Sequence, residues 1–213
     1  MSDSTDKLIA ALSTDRDVGM KPEWIFLLAV LAGTGLAALL FIVTLGPRPD
    51  FMSAMHTWRF VGKFVVTLAL AASTALLVAQ AAHPGAARGP ADILLILAPA
   101  LLLVAIVVEL LAMPHASWMP RMMGHNALPC MASIPLFSLA PLALTLFALR
   151  RGAVTQPMRA GALAGLMAGG LGAALYAAHC TDDSPLFVAL WYTLGIAFVT
   201  GAGALIGRRL LRW

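Results

Sequence analysis

Six apolar runs, each roughly 20 residues long, account for more than half of the sequence. They cover residues 24–45, 61–82, 93–113, 129–149, 158–178 and 186–206. A helix needs about this length to cross the hydrocarbon core of a bilayer. The runs therefore predict an all-α polytopic membrane protein, a bundle of six transmembrane helices.

Composition favours the same fold class. Charged residues make up 11% of the 213 residues, against about 25% in a soluble domain. The net charge is only +4, and the basic residues lie at the ends of the apolar runs rather than in one stripe. We therefore expect the lipid bilayer as a partner and no direct binding of nucleic acid.

The residues outside the runs suffice only for short segments. We predict a cytoplasmic leader at residues 1–23, the transmembrane domain at 24–207 and a short basic cytoplasmic tail at 208–213. The first run is longer than the core of a signal peptide, which has about 7–15 residues, and acidic residues precede it. We interpret it as a retained span.

Basic residues indicate the orientation, because they favour the cytoplasmic side of short loops. If the N-terminus is cytoplasmic, ten of the 14 lysines and arginines lie on that side and only Arg48, Arg59, Lys63 and Arg121 lie outside. Both termini are therefore predicted to be cytoplasmic. Arg59 and Lys63 are the exception to this count, because they begin the second run on the outer side, where they can snorkel to the headgroups.

Small residues recur at helical spacing in the fifth run. Gly161, Gly165 and Gly169 form a G-x-x-x-G-x-x-x-G pattern, and Gly203 and Gly207 give the sixth run a shorter version. This spacing lets helix backbones approach closely in a membrane. It predicts tight packing of these helices and says nothing about function.

The two cysteines are predicted to lie at the same depth on the outer side. Cys130 follows Pro129 in the first turn of the fourth helix, and Cys180 lies at the outer end of the fifth. A disulfide requires α-carbons about 4.4–6.8 Å apart, which the sequence permits but does not require. A structural staple, a sensing pair and two unrelated thiols all remain open.

The segment around Cys180 also contains candidate metal ligands. Imidazole and thiolate suit zinc, cadmium or copper, and His125, His179 and Asp182 are the candidates to complete such a site. The same stretch has a purely structural explanation. Ser184 makes a good N-cap, and Pro185 a good first residue, for the sixth helix.

The leader carries a short apolar stripe formed by Leu8, Ile9 and Leu12. A helix this short is marginal alone in water, but it can bind in the groove of a partner. Acidic residues outnumber basic ones in the leader, which disfavours an anionic membrane surface and favours a basic protein partner.

Three segments, "KLIAALSTD", "LPC" and "HCTDDSPLFVALWY", together with the six-span layout, resemble the NrsF family of multi-pass inner-membrane anti-sigma factors. The resemblance implies that the protein holds an extracytoplasmic-function sigma factor inactive and that it is not an enzyme. It also implies that Cys130 and Cys180 sense metal or oxidative stress on the periplasmic side. The leader around Leu8, Ile9 and Leu12 would then contact the sigma factor.

No resident cofactor is expected, although a heavy-metal or a copper- or zinc-type ion could be the sensed ligand. Two alternatives stay open. The same outer Cys, His and Met groups would serve a membrane redox or metal-handling transport protein, and the glycine pattern would suit a structural subunit of a larger membrane complex.

Overall fold

The computed structural model describes Thr5, Lys7 and residues 22–82 and 90–212. Helices dominate these residues and no strand occurs in them, so the predicted all-α class is confirmed there. The predicted sigma-contact residues Leu8, Ile9 and Leu12 lie outside the described part of the chain.

Six long helices form the structure, and each is long and apolar enough to cross a membrane, the third together with the 3₁₀ residues that precede it (Asp92–Ala112). They are α1 (Pro22–Thr44), α2 (Trp58–Ala81), α3 (Leu97–Ala112), α4 (Ala127–Leu149), α5 (Pro157–Ala177) and α6 (Pro185–Leu210). Each corresponds to one predicted run, with ends that differ by a few residues. The largest differences are at the start of α3, which begins at Leu97 rather than residue 93, and at the end of α6, which continues through Arg208 and Arg209 to Leu210.

Shorter helical segments connect these six. A four-residue helix, Phe51–Ala54, joins α1 to α2, and a 3₁₀ helix, Pro90–Ile96, leads into α3. The connection between α3 and α4 contains the 3₁₀ turn His115–Ser117 and the helix Trp118–Met123. Helix α6 includes a π-helical turn at Val188–Tyr192, a feature found frequently at functional sites.

Helix α5 is the centre of the bundle and packs against α2, α4 and α6. Glycines on different faces of α5 let the backbones of these neighbouring helices come close. A Cβ atom on Gly165 would lie 2.7 Å from Thr200 Cα in α6, and one on Gly170 would lie 2.9 Å from the Thr67 carbonyl oxygen in α2. Such distances are shorter than van der Waals contact, so only glycine fits. The predicted close packing of the fifth and sixth helices is confirmed.

Residues near the ends of the long helices meet at two ends of the bundle. At the Cys180 end, Arg48 N donates to Ala178 O at 3.0 Å, which joins the α1–α2 connection to the end of α5. At the opposite end, named here the Arg159 end, Arg159 forms an ion pair with Asp92 at 2.6 Å.

Two apolar clusters fill the interior. One is centred on Leu142, Leu146 and Leu163. The other contains Cys130 and Cys180 together with aromatic side chains that include Tyr176 and Tyr192. The second cluster is called the thiol cluster below, and it connects the helical core to the Cys180 end.

Candidate functional site

The two cysteines lie in the same buried cluster. Cys130 is in the first turn of α4, where its amide donates to Asn126 O at 2.9 Å, and Cys180 follows the end of α5. Both are free thiols without solvent-exposed surface. Burial raises the pKa of the Cys180 thiol, because a low-dielectric environment disfavours the thiolate. Metal or oxidant can reach this pair only after a local opening of the structure.

Two buried tyrosines pack in the thiol cluster. The Tyr176 hydroxyl makes a long hydrogen bond of 3.5 Å to Asn126 O. The Tyr192 hydroxyl is buried and interacts with the thiol of Cys180. Sulfur is a weak acceptor, so this hydroxyl is only weakly satisfied. Tyr192 lies on the π-helical turn of α6, which places a hydroxyl donor beside one of the two thiols.

A clasp of hydrogen bonds joins the two loops next to the thiols. Asp182 Oδ2 accepts from the amides of His125 (2.9 Å) and Asn126 (2.8 Å) and from Asn126 Nδ2 (2.8 Å). Asn126 Nδ2 also donates to Thr181 Oγ1 at 3.0 Å. Partial burial opposes ionisation of Asp182, but these donors hold its pKa below the usual range. The clasp ties the residue after Thr181 to the residues just before α4, and so holds both cysteine-bearing segments together.

The neighbouring residue, Asp183, is held from the other side by two cations. Lys63 Nζ lies 2.6 Å from Asp183 Oδ1, and Arg48 Nη1 lies 2.9 Å from Asp183 Oδ2. Both cations also donate to the carbonyl oxygen of Cys180, at 2.9 Å from Lys63 and 3.3 Å from Arg48. The backbone of Cys180 is thereby fixed to α2 and to the α1–α2 connection.

Arg48 has a further partner in Asp50. Its guanidinium donates through Nε and Nη2 to the two Asp50 oxygens, both at 2.6 Å. This bidentate pair raises the pKa of Arg48 above its already high value and lowers the pKa of Asp50, as a charge-assisted fork does.

Glu109 forms a second charged group close by. Its carboxylate is fully buried and receives Arg59 Nε at 2.7 Å, Arg121 Nη1 at 3.0 Å and Ser184 Oγ at 3.4 Å. Arg59 and Lys63, which the sequence allows to snorkel to the headgroups, instead pair with the carboxylates of Glu109 and Asp183. A buried carboxylate requires partners of this kind. The sequence signal was an acidic residue inside an apolar run, but it identified no partner.

Only some of the candidate metal ligands lie close to one another. His125 Nδ1 lies 3.7 Å from Asp182 Oδ1, and the His125 side chain is 96% exposed. His179 Nδ1 instead forms a hydrogen bond of 2.9 Å with Gly46 O. In the part of the chain that the structure describes, no group of three or more His, Cys, Asp or Glu side chains could hold a metal ion. A metal site at these residues stays a hypothesis.

The start of α6 is explained by its caps. Ser184 Oγ accepts from Leu186 N, and Pro185 occupies the first helical position, as the sequence predicts. Asp182 and Asp183 are nevertheless more than favourable charges at a helix start, because each has specific partners in other segments.

These features define a class of protein: an all-helical bundle of six membrane-length helices, with two buried thiols and two ion-pair groups at one end. The chain belongs to the NrsF family, described as negative regulator of sigma F, whose model matches residues 12–213. This family is regulatory.

Two curated relatives agree with that assignment. The chain is 35% identical to the anti-sigma-F factor NrsF of Caulobacter vibrioides (strain NA1000 / CB15N), over 98% of this chain and 99% of the relative. It is 32% identical to the probable anti-sigma-F factor NrsF of Azospira oryzae (strain ATCC BAA-33 / DSM 13638 / PS), over 88% of each. No solved structure matches the chain.

Proposed function

We propose that the protein is an inner-membrane anti-sigma factor. It sequesters an extracytoplasmic-function sigma factor and releases it when Cys130 and Cys180 react with a metal ion or an oxidant on the periplasmic side. The observation that carries the anti-sigma role is family membership across residues 12–213. The observation that supports sensing is the burial of both thiols in one cluster.

The distribution of charge supports the orientation. At the Cys180 end, the basic side chains of Arg48, Arg59, Lys63 and Arg121 all pair with carboxylates. The Arg159 end instead collects arginines at the end of α4 and the end of α6, such as Arg150, Arg151, Arg208 and Arg209. Short segments with an excess of lysine and arginine favour the cytoplasmic side, whatever their carboxylates. Both termini are then cytoplasmic, and the thiols are periplasmic.

The chemistry of sensing follows from two thiols in one cluster. A soft metal ion binds two thiolates and releases their two protons. A two-electron oxidant such as a peroxide forms the S–S bond instead: both S–H bonds break, the two electrons reduce the peroxide O–O bond, and the two protons go to its oxygens. The buried Tyr192 hydroxyl beside Cys180 supports either route, because it can donate to a thiolate as that thiolate forms.

Movement of Cys180 is coupled to other helices. Its carbonyl oxygen is bonded to Lys63 of α2 and to Arg48, and both cations hold Asp183. A new S–S or S–metal bond that shifts Cys180 changes the free energy of these contacts, and so favours a different arrangement of the bundle. We propose that this arrangement alters how Leu8, Ile9 and Leu12 of the leader meet the sigma factor.

The test is a reporter from a sigma-dependent promoter, with the full-length protein carrying Cys130→Ala, Cys180→Ala or both. Membrane levels are checked by immunoblot. We expect induction by metal or peroxide to be lost in all three variants. Promoter activity should then be the same with and without the stimulus. Met131→Leu is the matched control, because it removes a neighbouring sulfur that is not a thiol. Unchanged induction in the double variant would remove the sensing role and leave the anti-sigma role to be judged by sigma binding.

A further inference from the structure

A cleft of about 720 Å³ opens at the Cys180 end. Its walls come from the start of α2, from the segment before α4 and from the α5–α6 loop, and its polar side chains include His56, Arg59, Arg121, His125 and Ser184. We propose that this cleft binds a phosphate-type oxyanion, free or in a lipid headgroup, on the guanidinium groups of Arg59 and Arg121.

The two guanidiniums share a single carboxylate. Arg59 uses Nε, and Arg121 uses Nη1, to bind opposite oxygens of Glu109. Neither guanidinium donates any other hydrogen bond to the residues that the structure describes. One carboxylate balances one of the two charges, so this wall of the cleft keeps a net positive charge and two free donor nitrogens on each arginine.

Burial places the negative charge behind the positive ones. Glu109 has no exposed surface, whereas the side chains of Arg59 and Arg121 are 25% and 35% exposed. An approaching ligand therefore meets guanidinium groups first. Two like charges held around one carboxylate repel each other at short range, and an anion between them relieves that repulsion.

Another wall of the cleft contains two carboxylates, Asp182 and Asp183, which are already bound to cations or hydrogen-bond donors of the protein. Asp183 is bound by Lys63 and Arg48, and Asp182 Oδ2 accepts three hydrogen bonds in the clasp. The charge of Asp182 still opposes an anion in the cleft. This limits the ligand to a position against the arginine wall.

The chemistry of the donors selects the ligand class. Guanidinium forks match the geometry of phosphate and carboxylate oxygens, and the hydroxyl of Ser184 lies at the base of the same wall, bonded to Glu109. The cleft lies at one end of membrane-length helices, where lipid phosphates are located. Inorganic phosphate and an anionic lipid headgroup therefore present the same chemistry to these residues. The proposal does not depend on the anti-sigma role.

The experiment measures thermal unfolding of the full-length protein in an uncharged, phosphate-free detergent. Inorganic phosphate is titrated in one arm and short-chain phosphatidylglycerol in the other, each against sodium chloride of equal ionic strength. We expect a saturable rise in Tm in at least one arm. A rise only with the lipid assigns the site to a headgroup, and a rise with phosphate assigns it to the free anion.

Variants separate binding from structural pairing. Arg121→Lys keeps a charge beside Glu109 but removes the fork, and we expect it to weaken binding about tenfold, as the loss of one charge-assisted contact does. Glu109→Gln removes the balancing charge and should tighten binding, an effect that a purely structural triad would not produce. Arg151→Gln, at the other end, is the matched control. The proposal would be overturned if Tm showed no saturable rise in either arm. It would also be overturned if Arg121→Lys kept the wild-type affinity and Glu109→Gln did not bind more tightly.

Discussion

Lys63 Nζ lies 2.9 Å from the carbonyl oxygen of Cys180 and 2.6 Å from the carboxylate of Asp183. The ammonium group is almost completely buried, so it has exchanged water for these two acceptors. This exchange is favourable only while both remain in place. A change at the Cys180 thiol that moves the Cys180 backbone is therefore transmitted to α2 through Lys63.

The first prediction concerns this contact. Lys63→Met removes one of the two cations on Asp183, and we expect a loss of about 1–3 kcal/mol in the free energy of unfolding, the usual cost of leaving a buried partner unsatisfied. Arg48 still pairs with Asp183, which keeps the loss below that of a fully orphaned charge. Denaturant unfolding in detergent measures it.

A double-mutant cycle provides the control for Lys63. Asp183→Asn alone should also destabilise, but the double variant should lose clearly less than the sum of the two single losses, because the pair is removed together. Additive losses would mean that Lys63 and Asp183 do not interact in the folded protein.

The second prediction concerns the clasp at Asp182. Asp182→Asn weakens three hydrogen bonds to His125 and Asn126, so the loops beside the thiols should open more often. We expect alkylation of the cysteines by a membrane-impermeant maleimide to become at least about tenfold faster, as follows from the loss of one charge-assisted contact. Asp92→Asn is the matched control, because the ion pair of Asp92 with Arg159 lies at the opposite end of the bundle. Equal labelling rates for the two variants would contradict this role.

The third prediction concerns Tyr192. Tyr192→Phe removes a buried hydroxyl whose contact is the thiol of Cys180, a weak acceptor, so stability should change little. The rate of disulfide formation with peroxide should nevertheless fall, since the variant lacks a donor for the developing thiolate. Tetramethyl-rhodamine maleimide labelling of residual thiols over time follows the reaction.

Thr145→Val controls for the loss of a buried hydroxyl, because Thr145 Oγ1 is buried and Thr145 is not part of the thiol cluster. It should leave the oxidation rate unchanged. A Tyr192→Phe protein that oxidises at the wild-type rate would show that the hydroxyl has no part in the reaction.

The fourth prediction concerns the packing of α5. Gly165→Ala forces a Cβ atom to within 2.7 Å of Thr200 Cα, and we expect a loss of about 1–3 kcal/mol, the usual cost of overpacking. Gly201→Ala is the matched control in α6, because no atom lies within 4 Å of its added Cβ. That variant should keep or slightly raise stability through helix propensity. Similar Tm values for both variants would contradict close α5–α6 packing.

Much of the fold can be predicted from the sequence, because each membrane-length helix corresponds to one apolar run. All six runs became helices, and the glycine spacing of Gly161, Gly165 and Gly169 correctly identified a close helix pair. The additional contacts of α5 through Gly170 and Gly172 were not predicted, because these residues lie on faces whose partners only the fold selects.

The site was less accessible from sequence. The location of Cys130 and Cys180 at helix ends was visible, but burial in one cluster required three-dimensional packing. The partners of Lys63 and Arg59 come from a loop and a helix far along the chain, so hydropathy alone also allowed both side chains to extend outward. A charged side chain near a membrane surface can either extend to the headgroups or pair with an opposite charge inside the protein. Only the fold decides which of the two occurs.

The last prediction concerns the leader, whose stripe of Leu8, Ile9 and Leu12 lies outside the described residues. If the stripe binds the sigma factor in a groove, its apolar side chains supply most of the binding free energy. Ile9→Asp should then abolish co-purification of the sigma factor with the detergent-solubilised protein, and should raise the sigma-dependent promoter to its induced level without stress. Ala10→Asp adds the same charge on the opposite side of the predicted helix and should preserve repression. Both positions precede α1 in the sequence, so we expect equal membrane levels, and continued repression by Ile9→Asp would assign sigma binding to another cytoplasmic segment.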